Sequence, residues 1–419
     1  MDENRKYRLL GQVLEAFTPG SPIDHKDVFA GRKRQREKLI STIFQKGEHA
    51  ILFGERGVGK TSLANIMFDI LVMMSSFSYV RAKVNCSESM SFTDLWKSIF
   101  NQLTFQTPEG TTLTLDQALP ESPNNENIRE VFQLIDNRSI IIIDEFDKVV
   151  DVNLKQYLAD TIKTLSDNAI PTTLILVGVG DSIDDLISEH QSIERNIVQV
   201  PMKRMAKHEL LEIIDKGLTK CDEFSIEDEP RQRIADYSQG LPYYTHLLTR
   251  ESAIAALEAG RVIINMRDLN LGVKEAVDGK LETTLTAYCT AVDAPRGEYF
   301  KPVLLACALA NKNEQQWFFA RDVVEPLRYI THKKLEIPAF AKHLKAFCED
   351  DRGRILEKKG PARKIQYRFS KPLMEPYVIL RGLADGLIRE PELSRPSVTA
   401  SEPEQLSLLS DVSAPPINF

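Results

Sequence analysis

Apolar residues in the first half of the chain follow a pattern that predicts parallel strands joined by helices. Between positions 48 and 201, short apolar runs separate longer stretches in which apolar residues recur at helical spacing. The predicted strands cover residues 50–53, 79–85, 139–144, 173–179 and 197–200. The third and fourth are rich in Ile, Val and Leu, which is typical of strands buried on both faces. We therefore predict an α/β fold with a parallel five-stranded sheet.

The second half of the chain has a helical pattern until a short β-like region near its end. The segments "HELLEIIDKGL" and "YTHLLTRESAIAALEAG" predict a small helical domain that ends near Gly260. Further on, the helical segment "IPAFAKHLKAFCE" precedes "GRILEKKGPARKIQYRFS", in which two β-like segments flank a Lys-Lys-Gly-Pro turn. Helices followed by a β-hairpin indicate a C-terminal winged-helix domain.

These patterns divide the chain into successive regions. We predict an N-terminal strap at 1–25, the α/β domain at 26–202, a small helical lid at 203–265, a helical and winged-helix domain at 266–387 and a tail at 388–419. The tail is predicted to be disordered because it is rich in Pro, Ser and Glu and poor in aromatic residues. Residues 106–127 are rich in Thr, Pro, Glu and Asn, and they predict a long surface loop.

Composition narrows the class of protein. The chain has 419 residues, more than one hydrophobic core usually supports, and its charged and apolar fractions are those of an ordinary soluble protein. Its longest apolar runs are strand-sized, so we expect no membrane span. The N-terminus lacks the apolar stretch of a signal peptide, which predicts a cytoplasmic location. The five cysteines are scattered singly, without the paired spacings of a zinc site or a disulfide framework.

Charge is distributed unevenly along the chain. The formal net charge of −7 argues against a protein that coats nucleic acid through its overall charge. Between residues 331 and 381, however, thirteen Lys and Arg residues stand against six Asp and Glu residues. This local excess of basic residues could contact DNA phosphates. The candidate residues lie in and around the predicted β-hairpin, called the wing below, and they are Lys358, Lys359, Arg363, Lys364 and Arg368. The alternative is a solvated basic surface that serves protein contacts.

A glycine-rich segment after the first predicted strand matches the phosphate-binding P-loop pattern in full. Such a loop converges backbone N–H groups on phosphate oxygens, and its lysine and hydroxyl residue contact the phosphates and Mg²⁺ respectively. Lys60 supplies the lysine and Thr61 the hydroxyl. The segment predicts an ATP site formed by Gly54, Glu55, Arg56, Gly57, Val58, Gly59, Lys60, Thr61 and Ser62.

Two adjacent carboxylates end a predicted buried strand in "SIIIIDEFDKV". Asp144 and Glu145 would be costly there without a cation or hydrogen-bond partners. We predict that Asp144 holds Mg²⁺ together with Thr61, and that Glu145 orients or deprotonates the attacking water. The alternative is a structural one, in which Asp144 or Asp147 caps a following helix.

The Asp-Glu pair, the strand spacing and the upstream segment "DVFAGRKRQREKLISTI" resemble the AAA+ ATPases. The resemblance is to the branch that holds origin-recognition initiators and STAND signalling ATPases. It implies an AAA+ nucleotide-binding domain at 26–202 with the Gly-Arg box of that branch, which lines the adenine pocket. The corresponding residues here are Val28, Phe29, Gly31 and Arg32.

The resemblance implies two further site residues. Arg195 precedes the last predicted strand, where AAA+ proteins place an arginine finger that reaches a neighbouring subunit, and this implies a homo-oligomer. The alternative is a surface arginine at a helix end. Gly240-Leu241-Pro242 is similar to the Gly-x-Pro motif of STAND proteins, whose proline packs on the base, although a plain helix-starting turn also explains it.

The sequence departs from the AAA+ pattern at the sensor positions. After the fourth predicted strand only Asp181 or Ser182 could serve as the polar sensor, and no arginine follows Gly240 as a second one. We therefore expect slow hydrolysis that a partner stimulates.

A short apolar run in the tail resembles the peptide by which bacterial replication and repair proteins dock on the sliding clamp. The run consists of Gln405, Leu406, Ser407, Leu408 and Leu409. Taken together, the sequence predicts an ATP-driven switch that oligomerises and engages duplex DNA. The alternative is a STAND-type signalling ATPase whose C-terminal region binds a protein. A passive scaffold would require that Glu145 be irrelevant to turnover.

Overall fold

The computed structural model describes residues 1–23, 27–74, 78–106, 112–180, 195–279, 282–293, 299–361 and 364–389. Some of the predicted site residues lie outside these ranges. They are Asp181, Ser182, Arg363 and the tail peptide from Gln405 to Leu409.

The first half of the chain forms a parallel sheet flanked by helices. In chain order its elements are α1 (Glu3–Ala16), α2 (Lys33–Phe44), β1 (His49–Gly54), α3 (Lys60–Met74), β2 (Tyr79–Asn85), α4 (Phe92–Phe100), β3 (Thr104–Gln106), β4 (Thr112–Thr114), α5 (Asn125–Gln133), β5 (Arg138–Asp144), α6 (Val152–Asp167), β6 (Thr172–Val179) and β7 (Ile197–Pro201). The five long strands pair in parallel in the order β2-β5-β6-β1-β7. The predicted α/β fold with its five-stranded sheet is confirmed.

Alternate residues of the central strands enter two separate apolar cores, one on each face of the sheet. Leu52, Ile142 and Val177 belong to the core on one face. Ile51, Ile143 and Leu176 belong to the core on the other face. Because side chains alternate between faces along a strand, a sheet buried on both sides needs apolar residues at every position. This explains the continuous Ile/Val/Leu runs in the sequence.

The predicted long loop at 106–127 is wrong in part. Strands β3 and β4 form a small antiparallel ribbon in which Thr104 lies opposite Thr114. Helix α5 begins at Asn125 and is preceded by a reciprocal cap, in which Asn124 and Asn127 each accept a backbone N–H of the other. The polar composition hid these elements, since Asn is typical of loops and also favours helix caps.

The second half of the chain is largely helical. Its elements are α7 (Lys207–Thr219), β8 (Ser225–Ile226), α8 (Asp228–Tyr237), α9 (Pro242–Glu258), β9 (Ile263–Ile264), α10 (Met266–Gly279), α11 (Glu282–Val292), α12 (Phe300–Leu309), β10 (Phe318–Phe319), α13 (Val324–Thr331), α14 (Ile337–Ala346), β11 (Leu356–Lys359), β12 (Gln366–Phe369) and α15 (Met374–Ala384). Strands β10, β12 and β11 form a three-stranded sheet beside α12, α13 and α14. This order is that of a winged helix, as the sequence predicted.

The N-terminal segment is a helix that docks on the lid region. Helix α1 buries Leu9 and Val13 in the same apolar core as helices α7 and α9. Glu223 accepts hydrogen bonds from Arg5 and Arg8 and fixes the outer side of this contact. The exact domain boundaries stay a prediction. None of the described helices is both long enough and apolar enough to cross a bilayer.

Helices α9 and α10 approach each other closely at Gly272. A Cβ atom placed on Gly272 would lie 2.8 Å from the backbone nitrogen of Ser252 and 2.9 Å from its hydroxyl oxygen. Backbone cannot swing aside as a flexible side chain does, so any larger residue must separate the helices.

We expect Gly272→Ala to lower the free energy of unfolding by about 1–3 kcal/mol, because overpacking shifts a buried backbone contact. Chemical denaturation with circular dichroism measures this. Gly279→Ala is the matched control on the same helix, since a Cβ there meets nothing within 4 Å. The control should be neutral or stabilising by up to about 1 kcal/mol, and equal effects of the two substitutions would contradict the close approach.

Candidate nucleotide-binding site

The glycine-rich loop connects the end of β1 to the start of α3. Gly57 and Gly59 both have φ +90°, and Gly54 has φ +150°. A Cβ on Gly54 would collide with the carbonyl oxygen of Met202. These positions therefore require glycine, and the turn they make presents backbone N–H groups at the N-terminus of α3, where an anion is stabilised.

The amine of Lys60 lies under this loop. Its Nζ donates to the carbonyl oxygens of Gly54 and Glu55, each at 2.9 Å, and the residue is only 8% exposed. Burial lowers the pKa of Lys60 to about 8, although the charges of Asp147 and Asp144 act in the opposite direction. The structure thus holds a buried, weakly hydrated amine at the centre of the phosphate-binding loop.

Asp144 joins three elements at the carboxyl edge of the sheet. Its Oδ1 accepts from Thr61 Oγ1 at 3.2 Å and from the Glu145 backbone N–H at 2.9 Å. The second oxygen, Oδ2, lies 3.1 Å from Lys83 Nζ. A hydroxyl and a carboxylate side by side are oxygen ligands of the kind that Mg²⁺ prefers. The residues present therefore fit the predicted magnesium site.

Glu145 follows directly and has left-handed backbone geometry, with φ +56°. Such a conformation is uncommon for a residue with a side chain, and it turns the chain sharply after β5. Its side chain is 43% exposed, and its Oε2 pairs with Lys148 Nζ at 2.7 Å. This exposed pair holds the carboxylate only weakly. Glu145 thus follows the carboxylate that contacts Thr61, and its side chain is accessible to water. Its catalytic role stays a prediction. The Asp144 side chain makes the contacts above and does not cap a helix.

Near Asp144, the sequence did not indicate Lys83, and it indicated Asp147 only as a possible helix cap. Lys83 on β2 contacts Asp144 and also donates to Asn65 Oδ1 at 3.1 Å. Asp147 accepts the backbone N–H of Val179 at 2.8 Å and so ties the end of β6 to the turn after β5. Only strand order could have indicated Lys83, because β2 pairs with β5 and places the lysine beside the carboxylate.

The Gly-Arg box lies between the loop and helix α7. The Arg32 guanidinium is buried and donates to the carbonyl oxygens of Val58 and Lys203, both at 2.7 Å. Burial lowers its pKa to about 10. Phe29 is buried, Val28 is half-buried, and the Phe29 carbonyl accepts from Lys216 at 2.8 Å. The box therefore links the loop to the lid. That it lines an adenine pocket stays a prediction.

The two weaker motifs occupy the expected places. Arg195 is exposed directly before β7. Pro242 begins helix α9, and the preceding Gly240 has φ +78° and accepts the Met205 backbone N–H at 2.8 Å. The helix-starting turn is thus observed. Contact of Pro242 with a base and of Arg195 with a neighbouring subunit stay predictions.

Several of the basic residues on the wing already have partners. Lys358 lies 3.6 Å from Glu349, and Arg368 pairs with Glu357 at 2.5 Å. Lys359 Nζ lies 4.1 Å and the Arg368 guanidinium carbon 4.5 Å from the centroid of the Trp317 ring. Lys364 is exposed. Two further lysines of the basic segment 331–381, Lys342 and Lys345 on α14, are also exposed.

Part of the chain matches a family model, and several solved structures are similar to the chain. Residues 45–187 match the family model described as AAA domain. The chain is similar to the Aeropyrum pernix ORC2 protein, solved as ADPNP-ADP complexes, with 13% identity and a TM-score of 0.51 over 89% of this chain and 98% of that chain. It is also similar to CDC6P from Pyrobaculum aerophilum, with 16% identity and a TM-score of 0.46 over 90% and 99% of the two chains.

The Aeropyrum pernix ORC1 protein in complex with DNA gives 14% identity and a TM-score of 0.47 over 84% of this chain and 93% of that chain. A search of curated protein sequences found no match. The family match spans both the loop and the Asp144–Glu145 pair, and the likeness to ORC2 shows a shared fold. The predicted resemblance to the AAA+ ATPases is therefore confirmed.

The depressed pKa of Lys60 predicts a pH dependence of stability. Because the folded chain releases this proton at about pH 8 and the unfolded chain near 10.5, the burial penalty is complete below pH 8 and disappears by pH 10.5. We compare the free energy of unfolding of the unsubstituted chain with that of Lys60→Met at each pH. From pH 8 to pH 10.5 the value for the unsubstituted chain should rise by about 3 kcal/mol relative to the value for Lys60→Met. Denaturant titrations at several pH values measure the difference.

Lys97→Met is the control for a lysine change away from the site, since Lys97 is exposed on α4. A pH-independent difference between Lys60→Met and the unsubstituted chain would show that the Lys60 amine is not held as described.

Proposed function

We propose that this chain, which carries an AAA domain of the P-loop ATPase class, is a switch that binds and hydrolyses ATP. One observation carries the proposal. The Lys60 amine, the Thr61 hydroxyl and the Asp144 carboxylate meet at a single glycine turn, and Glu145 lies at the next position. A structural role alone does not explain a buried lysine beside carboxylates on a loop that requires glycine. A cytoplasmic location, predicted from the sequence, is part of this proposal.

The residues divide the chemistry among them. Mg²⁺, when bound, would neutralise phosphate charge, and Thr61 and Asp144 are the residues that would hold it. Lys60 would exchange its two carbonyl partners for phosphate oxygens, and the N-terminus of α3 would stabilise the same anion. Glu145 would orient water, or accept its proton, from the accessible side of the site. Lys83 would hold the Asp144 carboxylate in place through their charge-assisted contact.

We include oligomerisation in the proposal. Arg195 is exposed two residues before the edge strand β7, so its guanidinium is accessible to a second subunit. An arginine that reaches a phosphate from a neighbour would make hydrolysis depend on assembly.

We also include engagement of duplex DNA by the winged-helix region. Helix α14 directs Phe340, His343 and Leu344 into the core, while Lys342 and Lys345 are exposed to solvent. Exposed lysines on one helix next to a β-hairpin form a surface that can contact phosphates on both sides of a groove. Helix α14 and the wing are both candidate contacts, because each carries lysines that are exposed to solvent.

The other partners stay predictions from the sequence. A STAND-type signalling ATPase that binds a protein in place of DNA is separated from this proposal by the DNA experiments below. Docking of the peptide from Gln405 to Leu409 on a sliding clamp has no support in the structure, because that peptide lies outside the described residues.

The first test is ATP turnover by the purified chain with and without duplex DNA. We expect slow turnover that DNA stimulates, and we expect Glu145→Gln to reduce it by a factor of about 10² or more, as for loss of a general base. Release of phosphate measures the rate. Glu130→Gln, an exposed glutamate on α5, controls for the substitution itself.

Turnover that is equal in Glu145→Gln and the unsubstituted chain would contradict the proposed catalytic role. Turnover that depends on Glu145 but ignores DNA would favour the signalling alternative and a protein partner.

The second test is the salt dependence of DNA binding. The double substitution Lys342→Ala and Lys345→Ala should reduce the slope of log K against log salt concentration by about 0.9 for each phosphate that these lysines neutralise. Fluorescence anisotropy of labelled duplex DNA measures the slope. The triple substitution of Lys358, Lys359 and Lys364 to Ala tests the wing separately, and Lys97→Ala is a control outside the winged helix. An unchanged slope in both the α14 and wing variants would contradict DNA contact by this domain.

A further inference from the structure

Four charged side chains, of which one is buried and three are partly buried, connect the phosphate-binding loop to the C-terminal region, residues 266–387. Arg204, which follows β7, donates to Glu55 Oε1 at 2.6 Å and to Glu55 Oε2 at 3.2 Å. The same guanidinium lies 2.8 Å from Glu375 Oε2 at the start of α15. Glu375 Oε1 in turn lies 2.9 Å from Lys312 Nζ, which also donates to the Ala308 and Ala310 carbonyls.

These four residues alternate in sign and are mostly withdrawn from solvent. The side chains of Arg204 and Glu375 are 12% and 2% exposed. Burial alone would raise the pKa of Glu375, but Arg204 and Lys312 hold it below its ordinary value. A carboxylate buried to this degree depends on both cations, because removal of either leaves charge without compensation.

The start of α15 also contacts the loop directly. A Cβ on Gly57 would lie 3.2 Å from Leu373 Cδ2, so this side chain covers the middle of the glycine turn. The Leu373 carbonyl accepts the Tyr244 hydroxyl of α9 at 2.5 Å. The loop, the lid and the C-terminal region therefore meet at the start of α15. Arg204 bridges the loop residue Glu55 and the α15 residue Glu375 at the same place.

We propose that Glu55, Arg204, Glu375 and Lys312 form a latch that holds the C-terminal region against the phosphate-binding loop and that ATP releases. This inference rests on the proposed function of the loop. It assigns Arg204 as a positioning residue, since it acts on the site through Glu55 and couples that site to the winged helix.

Electrostatics gives the direction of the coupling. Phosphate binding draws the Lys60 amine away from the Gly54 and Glu55 carbonyls and brings negative charge beside the Glu55 side chain. That charge attracts Arg204 toward the loop and away from Glu375. A carboxylate that loses one of its two buried partners is more stable in water, so the start of α15 leaves the loop.

Coupling of this kind is reciprocal. If ATP weakens the latch, then a weakened latch must strengthen ATP binding by the same factor. The two substitutions Glu375→Gln and Lys312→Met both break the latch, yet they change the local charge in opposite directions. A direct effect of charge on the phosphates would therefore shift ATP affinity upward in one variant and downward in the other.

The experiment is equilibrium binding of the non-hydrolysable ATP analogue AMP-PNP with Mg²⁺ to the full chain. We expect Kd to fall by about 5-fold or more in both Glu375→Gln and Lys312→Met, the range of typical allosteric coupling. Glu314→Gln is the matched control. It breaks the neighbouring Lys203–Glu314 pair, which spans the same junction at 2.7 Å but is exposed, and its Kd should stay within about two-fold.

The Kd values of the two variants and of the unsubstituted chain distinguish failure of the latch from failure of the ATP site. Shifts of opposite sign in the two variants, or unchanged Kd in both, would overturn the latch while leaving the proposed ATP site intact. If the unsubstituted chain binds neither AMP-PNP nor ADP, the proposed function fails and the latch fails with it.

A measurement on the unsubstituted chain covers the case in which a variant does not fold. Small-angle X-ray scattering with saturating AMP-PNP and Mg²⁺ should give a larger radius of gyration than scattering without nucleotide, because the C-terminal region moves away from the loop. An unchanged or smaller radius in the nucleotide-bound chain would overturn the release step.

Discussion

The arrangement of the site depends on the hydrogen bonds of one buried carboxylate, that of Asp144. It joins Thr61 at the start of α3, Lys83 on β2 and the turn at Glu145. Each contact lowers the cost of burying the charge, and each also fixes an element that the site uses. The same oxygens that position the hydroxyl of Thr61 would position a magnesium ion. The chemistry and the local stability therefore share their interactions.

The need to pair charges that are withdrawn from water also applies outside the AAA domain. Charges withdrawn from water must be paired, and the pairs available to Arg204 come from two distant parts of the chain, Glu55 in the loop and Glu375 on α15. The requirement for pairing therefore links the nucleotide site to the winged-helix region. An apolar interface of the same area would hold the two regions together, but it would not respond to the charge of a phosphate.

Two residues close to the nucleotide site have strained backbone conformations. Arg32 and Glu145 both have left-handed backbone geometry although they carry large side chains. Arg32 is held there by carbonyls of the loop and of the segment after β7, and Glu145 by the Asp144 carboxylate. Such conformations persist only where several contacts oppose relaxation, and here they aim one residue at the loop and the other at solvent.

The sequence by itself determined the elements and the local chemistry, while only the tertiary structure decided which distant charges meet. The strands, the glycine turn and the Asp144–Glu145 pair are encoded by neighbouring residues, so periodicity and spacing were sufficient to predict them. The prediction of a loop at 106–127 is wrong in part because β4 is stabilised only by pairing with β3, the short strand that precedes it. Lys83 reaches Asp144 because β2 lies next to β5, and such partners leave no pattern along the chain. Distant charges must pair only because the fold buries them, and burial is a property of the complete fold.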